Sequence, residues 1–156
     1  MLTSLVDPKA KSFEEARRSF GWQVPGDFNM ARAVCDRHAG RSSATALLCE
    51  TSAGQTTRYT FSDLRSLSNR LANAFQSVGV QPGDRVAIIL PQRVETGLCH
   101  LAAWKIGAVS LPLSVLFGTD ALQYRLQDSG ARIAICSKEG FDRVQSLRTE
   151  LPDLDT

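Results

Sequence analysis

Arg85-Val86-Ala87-Ile88-Ile89-Leu90-Pro91 is the stretch on which the fold turns. Val86 to Leu90 is the longest unbroken apolar run in the chain, and it has the length of a strand, not of a membrane span. A strand with almost no polar residue is one covered on both faces. Pro91 ends it, because proline has no N–H to give a ladder. Two more such strands follow, Ala108-Val109-Ser110-Leu111, ended by Pro112, and the buried strand Arg132-Ile133-Ala134-Ile135-Cys136. Between the first two, Val94, Leu98, Leu101, Ala102 and Lys105 recur at helical spacing, apolar apart from a lysine stem, and Gly107 closes the helix. Thr119-Asp120 is expected to cap a second helix carrying Leu122 and Leu126, stopped by Gly130. Phe141, Val144 and Leu147 mark a third, which Pro152 terminates. Helical crossovers force parallel strands with right-handed connections. The fold class predicted is α/β: a three-layer α/β/α unit with a mainly parallel sheet built β-α-β-α-β over about residues 85–136.

Upstream, a β-hairpin and helices precede this unit. Thr45–Cys49 and Thr57–Phe61 are strand-like, and Thr51-Ser52-Ala53-Gly54-Gln55 between them has turn chemistry. Thr60-Phe61-Ser62-Asp63 is a capping box opening a helix whose apolar face is Leu64, Leu67, Leu71, Phe75 and Val78, ended by Gly79. Asn29 is placed to cap a helix through about His38. Residues 1–27 form a lead-in: Ser12–Ser19 suits a short helix, Phe20–Gly26 does not, and Trp22 and Val24 are expected to clamp the segment onto the body. Residues 28–156 form the main domain. The closing run Leu151–Thr156 comes in mid-rhythm, so we expect an incomplete piece of a larger amino-terminal domain, truncated in the gene or by design.

Of 156 residues, 43% are hydrophobic and 22% charged, enough to build a core. A net charge of +2 gives no reason to expect nucleic acid or an anionic membrane as partner. Arg17-Arg18, the densest basic spot, is predicted to be a solvated helix face. The start has no basic region followed by a long apolar run, so no secretory signal is read there. None of Cys35, Cys49, Cys99 and Cys136 sits in a Cys-x-x-Cys pair, which argues against a zinc site and for a reducing, cytoplasmic location. His38 and His100 lack a visible partner and are expected to be structural. Asp84 is expected to hold turn backbone, and Asp128-Ser129-Gly130 to be a helix end. No phosphate-binding Gly-rich loop and no nucleophile elbow is present.

Ligands of open α/β sheets gather beyond the carboxyl ends of the strands, here the loops starting at Pro91, Pro112 and Ser137. The middle one, Pro112-Leu113-Ser114-Val115-Leu116-Phe117-Gly118, is apolar and includes a glycine over which a flat ligand could approach. It is either a wall of a nucleotide or acyl pocket or a loop packed on other parts of the protein.

The run Tyr59–Leu64, Gly79–Ile88, Leu101–Val109, Leu111-Pro112-Leu113 and Tyr124–Ala131, in that order and spacing, resembles the amino-terminal part of the adenylate-forming superfamily. That superfamily holds acyl-CoA synthetases, firefly luciferases and peptide-synthetase adenylation domains. The resemblance covers about residues 28–145. Phe20–Pro25, Phe28-Asn29, and Phe117-Gly118 ahead of Tyr124-Arg125-Leu126 look more like the acetyl-CoA synthetase and medium-chain acyl-CoA synthetase branch than like luciferase. The resemblance implies an AMP-forming acid–thiol ligase. ATP and a carboxylic acid, with Mg2+, would give an acyl-adenylate and pyrophosphate, and coenzyme A would then give acyl-CoA and AMP. It also implies that Leu116, Phe117 and Gly118 lie near bound coenzyme A in the complete enzyme; a polar side chain is sometimes found where Leu116 stands.

The family's phosphate loop, Tyr-Gly-x-Thr-Glu motif, ribose aspartate and mobile lysine have no counterpart here. Thr51–Thr57 lies too early, lacks the Gly-Lys ending and reads better as a hairpin turn. No catalytic or metal residue is therefore assigned, and none of ATP, Mg2+ and coenzyme A is expected to bind this chain tightly. The expectation is an inactive fragment of an enzyme acting on acetate or a short or medium-chain acid. The alternatives are part of an enzyme that adenylates aryl or amino acids, and a short non-catalytic binding or assembly module. Exposed apolar surface is expected to make the chain a homo-oligomer.

Overall fold

The computed structural model describes residues 6–22, 24–40 and 43–155. Its centre is β3 (Arg85–Ile89), paired in parallel with β4 (Val109–Pro112) on one side and β5 (Ala131–Cys136) on the other. Val86 is opposite Ser110 in β4 and Ile133 in β5. The side chains of β3 alternate between two cores. Val86 and Ile88 pack with Ala72 and Phe75 of α3 (Phe61–Ser77) and with Cys99, Ala102 and Ala103 of α4 (Val94–Lys105). Ala87 and Ile89 face the other way, onto Leu122 and Leu126 of α5 (Thr119–Ser129) and Val144 of α6 (Lys138–Ser146), with Leu147, Leu151 and Leu154. This is the three-layer arrangement the apolar run predicts. Full burial of each isoleucine contributes about 1.5–3 kcal/mol.

The flanking strands differ from expectation. β4 is an outer strand with Val109 half exposed, so only β3 is covered on both faces along its length. Pro112 does not lie beyond β4 but is its last residue, aligned with Ile88. An outer strand tolerates this because the missing N–H faces away from the ladder. At α5 the N-cap is Gly118 with no side-chain cap, and Thr119 and Asp120 fall inside the first turn. In α3 the buried positions are the expected Phe75 and the small Ser68 and Ala72, which let the helix approach the small residues of α4; Val78 is the C-cap and is half exposed. In α6 the buried positions are the expected Val144 and the glycine Gly140, while Phe141 points outward. Small residues at a helix contact bring backbones close, and hydrophobicity alone does not reveal that.

Upstream, β1 (Thr45–Glu50) and β2 (Thr56–Thr60) form the expected antiparallel hairpin. Its turn is closed by Thr51 N–H to Gln55 O (2.9 Å) and Gly54 N–H to Thr51 O (2.9 Å). The capping box is present: the Asp63 N–H donates to Thr60 Oγ1 (3.1 Å) and the Thr60 N–H to Asp63 Oδ2 (2.8 Å). The Thr60 hydroxyl, followed by its backbone N–H, holds the Asp63 carboxyl below its ordinary value. Asn29 caps α2 (Met30–Val34), and a 3-10 turn at Asp36–His38 follows instead of one continuous helix. In the lead-in, Ser12 caps α1 (Phe13–Ser19), which buries nothing and leaves Arg17 and Arg18 in solvent.

Trp22 and Val24 do not clamp the lead-in, being 77% and 68% exposed. Trp22 instead meets Phe20 edge-to-face at 5.1 Å, so the rings shield each other. The anchor is Asn29, whose Nδ2 donates to Trp104 O at 2.7 Å, with Ala31 and Cys35 buried against Leu101.

Arg85 sets the joint between α5 and β5. Its Nε donates to Ser129 O and its Nη2 to Gly130 O, both at 2.6 Å, so a cation neutralises the carboxyl end of the helix. Gly130 is in the left-handed region (φ 56°), and a Cβ there would stand 2.7 Å from Arg85 Nη2. Gly130→Ala should cost about 1–2 kcal/mol through the left-handed backbone, and Ile89→Ala about 2–5 kcal/mol through the cavity it leaves. Urea unfolding checks both; an unchanged midpoint for Ile89→Ala would contradict the central place given to β3.

Candidate functional site

The carboxyl ends of the strands form one ridge because two loops hang from β3. Ile88 O accepts from Leu113 N (2.9 Å), and Ile89 O from Ser137 N (3.4 Å). The first turn of α6 comes down on the same edge. Ser137 caps it through Gly140 N–H (3.3 Å), and a Cβ on Gly140 would lie 2.9 Å from Cys136 Cβ and 3.6 Å from Ile89 O. Only glycine allows α6 this close.

Leu116, Phe117 and Gly118 lie on this ridge, between β4 and α5. Ser114 turns the loop, accepting from Leu116 N at its Oγ (3.1 Å) and from Phe117 N at its carbonyl (3.2 Å). Phe117 packs inward on the core beneath α5 and α6, and the Arg125 guanidinium stands 4.2 Å from its ring centroid. Arg143 of α6 donates through one nitrogen, Nη1, to both Val115 O and Phe117 O, each at 2.8 Å. Leu116, between those carbonyls, is thrown outward and is 89% exposed. Gly118 has extended, ordinary backbone angles, and a Cβ there would meet nothing within 4 Å. Its backbone is open to a neighbour, but nothing in this conformation requires glycine.

The other candidates stay apart. Asp84 Oδ2 accepts from Gln81 N (2.8 Å), the turn-holding role the sequence suggests. Ser129 and Gly130, with Asp128 before them, close α5. His38 leans on Phe61 and His100 on Trp104, with centroids 5.1 and 5.6 Å apart. His100 Nδ1 has no hydrogen-bond partner, and burial holds this imidazole below its ordinary pKa. An open groove of about 700 Å³ runs between the hairpin and the start of α4, past Tyr59, Cys49, Arg93 and Glu95. There Arg93 and Glu95 form a two-pronged pair (2.6 and 2.9 Å), which lowers the Glu95 carboxyl. Among the described residues, no three His, Cys, Asp or Glu side chains gather as a metal site, and no helix is long and apolar enough to cross a membrane.

All four cysteines are free. Burial raises the thiols of Cys35 and Cys136, and burial with a smaller push from Glu95 takes Cys99 up to about 11 from 9.0. Buried neutral thiols are poor nucleophiles.

Sequence reasoning missed the buried cations. Arg143 looks like a surface residue of a short amphipathic helix; the available hint is its position beside the buried Val144. Lys105 is more than a stem. Its Nζ reaches Asp36 (2.7 and 3.0 Å) and Asn69 (2.6 Å), with its side chain only 9% exposed.

A three-layer α/β unit with an apolar loop at its strand ends matches a known class. The sequence pattern described as AMP-binding enzyme matches residues 34–156. The chain belongs to this AMP-binding enzyme family. It is 37% identical over 124 residues to an acetyl-coenzyme A synthetase of Streptomyces coelicolor, covering 78% of this chain and 19% of that protein. It is 34% identical over 140 residues to the mitochondrial acyl-coenzyme A synthetase ACSM4 of Rattus norvegicus, covering 85% of this chain and 24% of that one. The crystal structure of an acyl-CoA synthetase from Brucella canis superposes with a TM-score of 0.74 at 31% identity, over 81% of this chain and 22% of that chain. The chain thus spans about a fifth to a quarter of the relatives it matches.

The Cys99 thiol links stability to alkaline pH. Its folded-state pKa is raised, so its contribution is complete below the unfolded value of 9.0 and is lost as pH rises towards about 11. Over that window it should remove up to about 1.4 kcal/mol per pH unit. Denaturation at pH 8, 9 and 10 should show a steeper fall for the unaltered chain than for Cys99→Ala. Equal slopes would mean that the thiol titrates normally.

Proposed function

We propose that this chain is the amino-terminal part of an AMP-forming acyl-CoA synthetase. The complete protein joins a carboxylate to coenzyme A in two steps. The acid's oxygen attacks the α-phosphorus of ATP, giving acyl-AMP and releasing pyrophosphate. The thiol of coenzyme A then attacks the acyl carbon, and AMP leaves with the bonding pair. The observation that carries this reading is the 37% identity with an acetyl-coenzyme A synthetase across 78% of the chain. Acetate or a short or medium-chain acid is the substrate class it favours.

Within that enzyme the chain is a scaffold, with the lead-in up to residue 27 and the domain from Phe28 onward. The loop Leu116-Phe117-Gly118 is assigned to the vicinity of coenzyme A. The open backbone at Gly118 and the bare Leu116 suit a flat or apolar ligand part. Mg2+ would assist by neutralising phosphate charge. The described residues bring no metal-binding group together, so no step is assigned to it here. The free cysteines suit a reducing compartment such as the cytoplasm.

The test is to assay the purified 156-residue chain, and the product of the uninterrupted reading frame that encodes it, with ATP, coenzyme A, Mg2+ and a panel of acids. The chain alone should form no thioester. The complete product should form acetyl- or short or medium-chain acyl-CoA together with AMP. Thioester formation by the chain alone would overturn the reading, as would a complete product that accepts only aryl or amino acids.

We also infer that the chain by itself self-associates. The outer edge of β4 is unpaired among the described residues, and Val109, Leu116, Tyr124 and Phe141 are exposed. Light scattering at micromolar concentration should give a dimer or larger; a clean monomer would contradict this.

A further inference from the structure

We propose that Arg143 is a positioning residue for coenzyme A binding: from α6 it fixes the β4–α5 loop in the shape that presents Leu116 and the Gly118 backbone. This deepens, and rests on, the placement of that loop beside coenzyme A.

Val115 O and Phe117 O lie two residues apart, and in an extended chain no single donor atom would serve both. Here Arg143 Nη1 meets each at 2.8 Å, so the chain between them must bend around that nitrogen. The bend is what turns Leu116 out into solvent. The Ser114 turn and the Leu113–Ile88 hydrogen bond fix the start of the loop, and Arg125 holds the Phe117 ring at its end. At the loop's far end Gly118 O accepts from Leu122 N of α5 (3.0 Å). Arg143 is the tie that binds the loop backbone to α6, whose own seat is set by Gly140 against Cys136 and Ile89. A guanidinium is suited to this, since it never loses its charge and its donors are fixed in a plane. Without it, two part-buried carbonyls would need water, and the loop would spread over several shapes. A misplacement of about 1 Å can cost large factors in binding and rate.

The experiment uses the complete gene product with three variants. Arg143→Met keeps the apolar stem and removes the donors. Arg143→Lys restores an ammonium that can reach the carbonyls. Leu116→Glu places a charge at the loop tip. For Arg143→Met, KM for coenzyme A should rise about tenfold or more. Acid-dependent ATP–pyrophosphate exchange, which needs no coenzyme A, should keep its rate. Arg143→Lys should recover part of the loss. Hydrogen exchange should show faster amides at Leu116 and Phe117 in Arg143→Met, with those of α5 beyond Leu122 unchanged. A raised KM for coenzyme A in Leu116→Glu but not in Arg143→Met would overturn the role of Arg143 and leave the loop's placement standing. No change in either variant would overturn the placement itself, and this proposal with it. Equal loss of exchange and thioester formation in Arg143→Met, without rescue by lysine, would show a purely structural role and would also overturn it.

Discussion

The structure depends on β3 having no solvent side. Its four apolar residues divide between two cores, Val86 and Ile88 to one and Ala87 and Ile89 to the other, and all are essentially buried. A strand in that position needs a helical layer on each face and a paired strand on each edge, since its backbone groups cannot turn to water. The strand order β4-β3-β5 meets both needs with short connections. The chain crosses one face through α4 to reach β4, then returns over the other face through α5 to reach β5.

That routing also makes the ridge. Because β4 and β5 run parallel to β3 on opposite sides, their exits emerge at the same end, and both donate a backbone hydrogen bond to the last carbonyls of β3. The loop carrying Leu116, Phe117 and Gly118 is thus suspended between the buried β3 and α6. Its inner residue, Phe117, belongs to the core, while its outer residue, Leu116, belongs to nothing in this chain. An apolar tip held that firmly costs water contact with no return inside the domain. It stands open to a neighbour, and the proposed reading takes that neighbour to be coenzyme A.

Elements whose signal is a run or a terminus were legible in the sequence. The β3 run, the hairpin turn, the Thr60–Asp63 capping box and the left-handed stop at Gly130 each rest on a local rule that tertiary packing did not override. Faces were less legible where small residues carry the contact. Ser68, Ala72 and Gly140 are buried because they permit close approach, a property of the partner helix or strand that no local window contains. The exposed Trp22 fails for the converse reason: ring size says how much area could be buried, not whether a surface lies within reach.

The candidate site was legible in outline only. The loop could be placed at the strand ends from topology, but the groups that shape it could not, because they are long side chains reaching across sequence. Arg85 to the end of α5, Lys105 to Asp36 and Arg143 to the β4–α5 loop share one logic. In each case a charged head that reads as surface is drawn inward to acceptors on another element: the carbonyls of a helix terminus, the side-chain carboxylate of Asp36 in the 3-10 turn, and the carbonyls of a loop. Backbone carbonyls at a helix end lose their partners when the helix stops, and Arg85 supplies one at the end of α5. Of the three cations only Arg143 stands at the ridge, where satisfying the carbonyls of Val115 and Phe117 also shapes the loop; Arg85, the first residue of β3, and Lys105, the last of α4, act at the other end of the sheet.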